Sequence, residues 1–582
     1  TYLQETKNLM KTKLGVGNIP FRDYIDAIPL SKAWSEEKWQ AAYDDALSSV
    51  PAIRTDWRTL PSVSTGEEVI YYVMNIVDGV ENSITLNTIQ GNYTVDWGDG
   101  TTAENYNSAA TTATHNYTFA NLTSTLTNEG WKQAIIKITP QAGQHLTSLT
   151  VVGGNAAKNI VRVKINAPSM TSCSFQYWLF LEVVELGENN ITNFSSMFQS
   201  CYNLVAIPQL NTSKGTNFQS MFASCYSLAT IPQLDTHLGT DFSNMFQLCY
   251  SLTIIPLLDT SAGTTFSGMF NSCYAMVTIP LLNTSSGTNF SYMFPVCRAL
   301  TTVPLLDTSK GTNFYAMFSS CHTLATIPQL DTHLGISFSS MFDNCYTLTT
   351  VPLLDTSAGT NFSYMFTDCS SLITVPQLDT SSGTNFSYMF SSCRALTTVP
   401  LLDTSSGTTF SSMFTNCYSL TTVPLLDTSL GTSFTYMFTN CYSLTTIPLL
   451  DTSKGTNFNN MFQNCSSLTI VPLLDTSSGT TFSTMFSSCS ALTAIPQLNI
   501  SSGTNFASIL TSANIRQFRA TGVKTTISFA SCNLSKSALV EIFTNLATVT
   551  GQTITITGNL GASLLTTQDR EIATNKGWTI TG

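Results

Sequence analysis

The chain has 582 residues, only 10% of them charged, and a formal net charge of −11. Ordinary globular proteins carry about 25% charged residues. Ser, Thr and Asn supply the polarity here instead. With no basic patch to neutralise phosphates, electrostatics disfavour nucleic acid as a partner, and no apolar run approaches the roughly eighteen residues of a membrane-spanning helix.

Residues 1–62 read as a helical N-terminal anchoring arm. The opening TYLQETKNLMKTKLG has Lys residues but no apolar run behind them, so it does not read as a secretory leader. Synthesis in a cytoplasm is the expectation, although a cleaved leader would leave the same start. An amphipathic helix opens at Ser35-Glu36-Glu37-Lys38-Trp39 and runs to about Ser49, and an earlier one covers 2–13. Trp34, Trp39 and Tyr43 are the candidate anchoring residues. The segment GNIPFRDYIDAIP from Gly17 to Pro29 is similar to segments near the N-termini of phage tail-associated proteins. That resemblance implies docking on other virion proteins.

Residues 63–140 alternate apolar and polar positions, as β-sandwich strands do. Within them, Tyr93-Thr-Val-Asp-Trp-Gly-Asp-Gly-Thr101 is followed by His115-Asn116-Tyr117. The pair resembles the WGDGT…HxY motif of PKD domains. The Gly-Asp-Gly stretch suits a tight turn. The resemblance implies a spacer or adhesion module, in which Asp96, Asp99 and His115 are structural. Residues 141–193 read as degenerate lead-in coils, with Cys173 off the spacing that follows.

From 194 to 506 the chain repeats every 24 residues. Thirteen of the fifteen Cys form one ladder, at 201, 225 and onward to 489. A Met stands four residues before each and a Pro seven residues after. A fixed period in the twenties marks a stacked solenoid, because one such unit cannot bury a core alone. In TNFQSMFASCYSLATIPQLDTHLG (216–239), Phe218, Met221, Phe222, Cys225 and Leu228 stand at i, i+3, i+4, i+7 and i+10. That spacing predicts a short α or 3₁₀ helix, capped by Thr216 or Asn217. Leu228-x-x-Ile231-Pro232-x-Leu234 predicts a stacked parallel strand, with Pro ending it or facing away. Asp235-Thr-x-x-Gly239 predicts an Asx or β-turn.

The pattern MFxxCxxLxxIPxLDTS resembles the BspA-like leucine-rich repeats of bacterial surface proteins and of phage and prophage tail proteins. The resemblance implies a right-handed solenoid. The expected fold is therefore mainly β with short helices: a leucine-rich-type solenoid of 24-residue coils after a helical arm and a PKD-like β-sandwich. Residues 507–582 should cap it, with a helix from a Ser cap after Leu534, a strand at Thr553–Thr557, a second helix at Thr567–Lys576, and Trp578 and Ile580 on the last layer.

The Cys ladder reads as small core residues, since neighbours about 4.8 Å apart are too far for easy disulfides and no CxxC or ligand-spaced His accompanies it. No metal or cofactor is expected. The Asp ladder (Asp235, Asp259, Asp307 and on to Asp475) reads as turn-forming rather than calcium-binding, because Asn211, Asn283 and Asn499 fill the same slot. The same Asn residues argue against a glycosidase built on ladder carboxylates. No GxSxG, P-loop or HExxH occurs, so no enzyme is expected.

Recognition should fall on slots that packing does not fix. After each Cys come Tyr202, Tyr226, Tyr250, Tyr274, Arg298, His322, Tyr346, Arg394, Tyr418 and Tyr442, with Ser in the other three coils. Five residues before Cys stand Tyr292, Tyr364, Tyr388 and Tyr436. A Tyr face suits a sugar ring or a protein surface, though these side chains could equally shield coil edges. The order of arm, spacer and solenoid, together with the resemblances, implies a tail-associated virion protein, of a crAss-like phage of gut Bacteroidales, that recognises or adheres to a host cell-surface glycan or protein. A bacterial cell-surface adhesin of the BspA-like type is the alternative, and a virion decoration without a ligand is a third. No membrane insertion is expected, and a homo-oligomer is left open.

Overall fold

The computed structural model describes residue 54 and residues 56–86, 89–90, 92–107, 113–150 and 159–582. The two arm helices, with Trp34, Trp39 and Tyr43, lie outside the described residues. The chain forms two compact units, Thr1–Lys310 and Gly311–Gly582.

The alternating segment of the first unit forms β1 (Val69–Ile76), β2 (Asn82–Leu86), β3 (Ile89–Gln90), β4 (Tyr93–Asp96), β5 (Glu104–Tyr106), β6 (Ala113–Tyr117) and β7 (Lys132–Pro140). β8 (Ser148–Thr150), β9 (Ile160–Asn166), β10 (Ser172–Ser174), β11 (Val183–Leu186) and β12 (Ala206–Leu210) follow. β1 pairs antiparallel with β7, β7 with β4, and β4 with β5, while β2 and β6 pair separately. β9, β11 and β12 are mutually parallel, as solenoid coils require. β1 joins the two sets by pairing antiparallel with β9. One seven-stranded sheet thus runs from the sandwich-like strands into the first coils. Trp57 and Leu60 cover it, packing on Val69, Tyr71, Val73, Val161 and Val183.

The coils bury the side chains that the spacing singled out. Phe218, Met221, Phe222, Cys225, Leu228, Ile231 and Leu234 are all essentially inaccessible. Each Phe stacks on its counterpart one coil away. Ring centroids are 5.7 Å apart for Phe218–Phe242 and 5.6 Å for Phe222–Phe246. In the second unit Phe362–Phe386 and Phe366–Phe390 repeat this at 5.8 and 5.6 Å.

The local conformation differs from the expected helix. Alternate N–H groups leave the coil: those of Phe218, Ser220, Phe222 and Ser224 donate to Asp241, Ser243, Met245 and Gln247 of the next coil. The intervening ones close four-residue β-turns, Met221 to Phe218, Ala223 to Ser220 and Cys225 to Phe222. Two residues per coil, four apart, take positive φ, as Ser220 (53°) and Ser224 (63°) do. A helix cannot place half its donors sideways. The apolar spacing is common to both conformations, so periodicity alone did not separate them. Asn217 is no helix cap; its Oδ1 accepts the Gln219 N–H at 2.9 Å, an Asx turn.

The expected parallel strand at Ile-Pro is also interrupted. Among the described residues it is regular only at the ends, in β12 and in β13 (Ala494–Asn499). β12 and β13 carry the same Pro, but each pairs regularly with a strand that has none, β12 with β11 and β13 with Gln517–Thr521; between two Pro-bearing coils the same N–H is missing on both sides. The parallel bridging shifts to the Asn/Thr rung instead, for example Asn217 with Asp241 and Asn361 with Asn385.

Two buried ladders hold coils together where the strand does not. Thr236 Oγ1 donates to the Asp259 carbonyl at 2.7 Å, and Thr404 Oγ1 to that of Asp427 at 2.7 Å. Within each unit the ladder thiols donate to a Phe carbonyl of the preceding coil, as Cys225 does to Phe198 and Cys417 to Phe390, at 3.1 and 3.0 Å.

In the second unit β13 pairs parallel with β14 (Gln517–Thr521). β15 (Ile527–Ser528), β16 (Gln552–Thr555) and β17 (Trp578–Thr581) form the last parallel layers. α1 (Lys536–Asn545) starts at Ser535, whose side chain accepts the Ala538 N–H. α2 (Thr567–Thr574) starts with a reciprocal Thr566–Asp569 capping box. Trp578 is buried and its Nε1 donates to Ala547, while Ile580 is half-buried.

The positive-φ rungs carry a testable cost. One accepts Ser200, Ser224, Leu248, Ser272 and Val296 in the first unit. Val296, at φ 60°, is β-branched and poorly suited to that region. Val296→Asn should raise stability by about 1 kcal/mol, and Ser272→Val should lower it by a similar amount, in urea unfolding. Equal or reversed shifts would show that the strain is absorbed elsewhere.

Candidate functional site

The slot after Cys builds a continuous ring ladder in the first unit. Tyr202, Tyr226, Tyr250 and Tyr274 stack at 4.6, 4.8 and 4.6 Å, with planes within 15° of parallel. The Arg298 guanidinium covers Tyr274 at 5.1 Å. All five are half-buried. In the second unit the slot is broken into pieces. His322 stacks on Tyr346 at 4.7 Å, Arg394 covers Tyr418 at 5.4 Å, and Tyr418 meets Tyr442 at 5.0 Å.

This stacking changes what the tyrosines can offer. Their faces are turned to one another along the ladder, so a sugar ring has no free face to lie on. What meets solvent is a row of ring edges and phenol oxygens. That suits hydrogen bonding and edge contact better than the face stacking expected from sequence.

The second slot is different in kind. Tyr292, Tyr364, Tyr388 and Tyr436 occupy positive-φ rungs, at φ 55°, 59°, 59° and 58°. Other coils fill this rung with Ser196, Ser220, Asn244, Gly268, Ala316, Ser340, Ser412, Asn460, Thr484 and Ser508, of which only the Gly and the two Asn are types that readily adopt it. Tyr292, Tyr364 and Tyr436 are exposed and Tyr388 is half-buried. Tyr364 and Tyr388 stack at 4.6 Å. In sequence this backbone state shows only in the Ser, Asn and Gly at the same rung of other coils, not in the tyrosines themselves.

The aspartate row makes Asx turns. Asp259 Oδ1 accepts the Ser261 N–H and hydroxyl at 3.0 and 2.7 Å, and Asp403 accepts the same pair from Ser405 at 3.0 and 2.7 Å. The Ser hydroxyl bond, then the N–H bond, holds these carboxyls below the usual range. Two carboxyls move the other way through burial, Asp343 to about 6 and Glu182 to about 7. The histidines are dispersed. His237 and His333 each meet the neighbouring turn aspartate, Asp235 or Asp331, and His145 meets Glu68. Among the described residues no group of three or more His, Cys, Asp or Glu side chains could hold a metal ion.

At the Gly-Asp-Gly turn, Asp96 accepts the Gly98 N–H and Asp99 accepts the Thr101 N–H and hydroxyl. His115 Nε2 lies 2.7 Å from Asp99 Oδ2, and its ring stacks on Trp97 at 4.8 Å. Burial works against the Asp99 charge, but its bonds from Thr101 and His115 outweigh that and lower its pKa. Tyr117 Oη donates to the Trp97 carbonyl at 2.8 Å. These polar groups spend their bonds on one another and on the turn.

The sequence matches the profile of the family described as Mycoplasma protein of unknown function, DUF285, over residues 170–278, 240–350, 336–448 and 408–522. No curated protein matches it. Among solved structures, a leucine-rich repeat protein from Eubacterium ventriosum is 17% identical, with a TM-score of 0.33, covering 60% of this chain and 90% of that one. A leucine-rich repeat protein of Leptospira interrogans is 10% identical, with a TM-score of 0.19, covering 70% and 91%. The functional domain of InlJ from Listeria monocytogenes, described as including a cysteine ladder, is 15% identical, with a TM-score of 0.16, covering 71% and 74%. Among the described residues no helix is long and apolar enough to cross a membrane.

Proposed function

We propose that this chain, which belongs to the family described as Mycoplasma protein of unknown function, DUF285, is a non-catalytic recognition protein that meets its ligand through the tyrosine rungs of its leucine-rich-type solenoid. The observation that carries the reading is the four tyrosines held at positive φ. A Tyr there costs on the order of 1 kcal/mol or more, as a Ser or Ala does, where Asn or Gly costs less. Packing does not require it, since three of the four side chains are exposed. Tyr at an exposed, strained rung is explained by what it touches outside the chain. Tyr and Arg are also the residues that dominate protein recognition surfaces.

A non-catalytic role is supported by the aspartates of the row, which, as Asp259 and Asp403 show, spend an oxygen on their own turns. The arm, spacer and solenoid order supports placing the protein in a phage virion, associated with the tail and contacting a host cell-surface glycan or protein. The Mycoplasma origin in the family's description favours a second reading, a bacterial cell-surface adhesin.

Labelled full-length chain should bind intact Bacteroidales cells. Tyr364→Ser with Tyr388→Ser should weaken that binding at least about tenfold, the loss of one interface anchor, with the circular dichroism unchanged. Undiminished binding by the double variant would sink the tyrosine reading, and no binding at all would leave a decoration protein. Mass spectrometry of purified virions separates the two locations: absence there, with presence on bacterial envelopes, selects the adhesin.

A further inference from the structure

The coils of the second unit present a second surface that no tyrosine shares. The residue after each Pro points outward, and in five coils it is Leu. Leu353, Leu401, Leu425, Leu449 and Leu473 are 61–64% exposed, and Ile470 beside them is 64% exposed. Over the eight coils from Ala325 to Gln497 the neighbouring columns are Thr, Ala or Ile, then Pro, then Leu or Gln. No position in those columns is charged. Isolated exposed leucines are ordinary, but Leu401, Leu425, Leu449 and Leu473 follow one another on consecutive coils, with uncharged Thr and Pro beside them, and such a continuous apolar stripe marks an interaction site.

We infer that this face pairs with the same face of a second copy of the chain. Three features select that occupant. Its rungs recur once per coil, and a second copy matches that rise over every rung by construction. It is neutral in a chain of net charge −11, so two acidic molecules can approach here without apposing carboxylates. The nearest charges are the row Asp331, Asp355, Asp379, Asp403, Asp427, Asp451 and Asp475, two residues beyond the Leu or Gln column. A twofold pairing leaves these rows on opposite rims. Finally, seven steps of about 4.8 Å by five residues of about 3.3 Å give about 550 Å² per copy. Together the copies bury about 1,100 Å², just under the size of stable specific interfaces, which corresponds to a weak, reversible dimer.

Sedimentation equilibrium of the full chain tests this. The expected result is a reversible monomer–dimer equilibrium with a dissociation constant in the micromolar range. Leu425→Asp with Leu449→Asp should weaken it at least about tenfold by apposing buried charges, while circular dichroism and thermal unfolding stay unchanged because both side chains are exposed. Tyr364→Ser with Tyr388→Ser should leave it intact, which keeps this inference separable from the tyrosine reading. A wild-type chain that stays monomeric overturns the inference, as does association that survives both aspartates. If the aspartates instead abolish cell binding by a monomer, the face belongs to the host ligand.

Discussion

Raising the pH above about 9 should unravel the solenoid. Cys393, Cys417, Cys441 and Cys465 are buried free thiols. Burial pushes Cys417 up to about 12 and Cys393, Cys441 and Cys465 well above their ordinary value. In the unfolded chain the same thiols ionise near 8.5 to 9. A folded pKa raised above the unfolded one contributes stability that is fully present below the unfolded value. It is lost as pH climbs towards the folded value. In that window the unfolded state binds fewer protons than the native one, and each thiol removes about 1.4 kcal/mol per pH unit. The four consecutive coils holding Cys393, Cys417, Cys441 and Cys465 therefore lose about 5–6 kcal/mol per pH unit together. Total domain stability is only about 5–15 kcal/mol, so circular dichroism should collapse within about one to two units above pH 9. Cys417→Ser keeps a donor towards the Phe390 carbonyl and removes one ionisable group, so its alkaline slope should be shallower by one proton. A native spectrum at about pH 11, or thiolate absorbance rising while the fold persists, would refute the argument.

That sensitivity was half-legible in the sequence. The 24-residue recurrence of Cys identified a core position, and the cysteines are indeed unpaired and inaccessible. Its hydrogen bond to the previous coil was not legible, because only the stacked structure brings the Phe390 carbonyl within 3.0 Å of Cys417 Sγ. The same limit explains the misread helix. Phe218, Met221, Phe222 and Cys225 lie on one side of a helix or of a run of turns, and apolar periodicity reports the side, not the hydrogen-bond partner. The clue that separates them is polar: Asn217 opening an Asx turn, and Ser, Asn or Gly recurring at the positive-φ rungs. For the same reason the tyrosines could be named but not valued. Tyr226 and Tyr364 look alike in sequence. Yet Tyr226 turns its faces to Tyr202 and Tyr250, whereas Tyr364 sits on a strained rung. The exposed leucine column went unread although Gln329, Gln377 and Gln497 mark its slot as outward; Leu401 is exposed and Leu402 buried because successive residues of an extended segment face opposite ways.

The glycine that closes each turn carries the last expectation. A Cβ built on Gly407 would lie 2.6 Å from Phe410 Cζ, 2.9 Å from the Thr404 carbonyl oxygen and 3.0 Å from Phe386 Cε2. Neither ring can retreat. Phe410 is inaccessible to solvent and stacked between Phe386 at 5.8 Å and Phe434 at 6.2 Å. The carbonyl belongs to the turn itself, since the Gly407 N–H donates to it at 2.8 Å. Gly407→Ala should therefore cost about 3 kcal/mol, the upper part of the range for overpacking a rigid core, and should lower the urea midpoint accordingly. The strain is steric and local, so it should depend on the ring. Phe410→Leu removes the atom at 2.6 Å, and Gly407→Ala made on that background should cost at least about 1 kcal/mol less. Additive costs in the double variant would mean that the glycine is required by its backbone rather than by the Phe ladder. If the coupling is found, the aromatic stack and the turn glycine are a single packing unit. Every coil must then keep both, and this leaves the tyrosine and leucine columns as the places where a coil is free to vary.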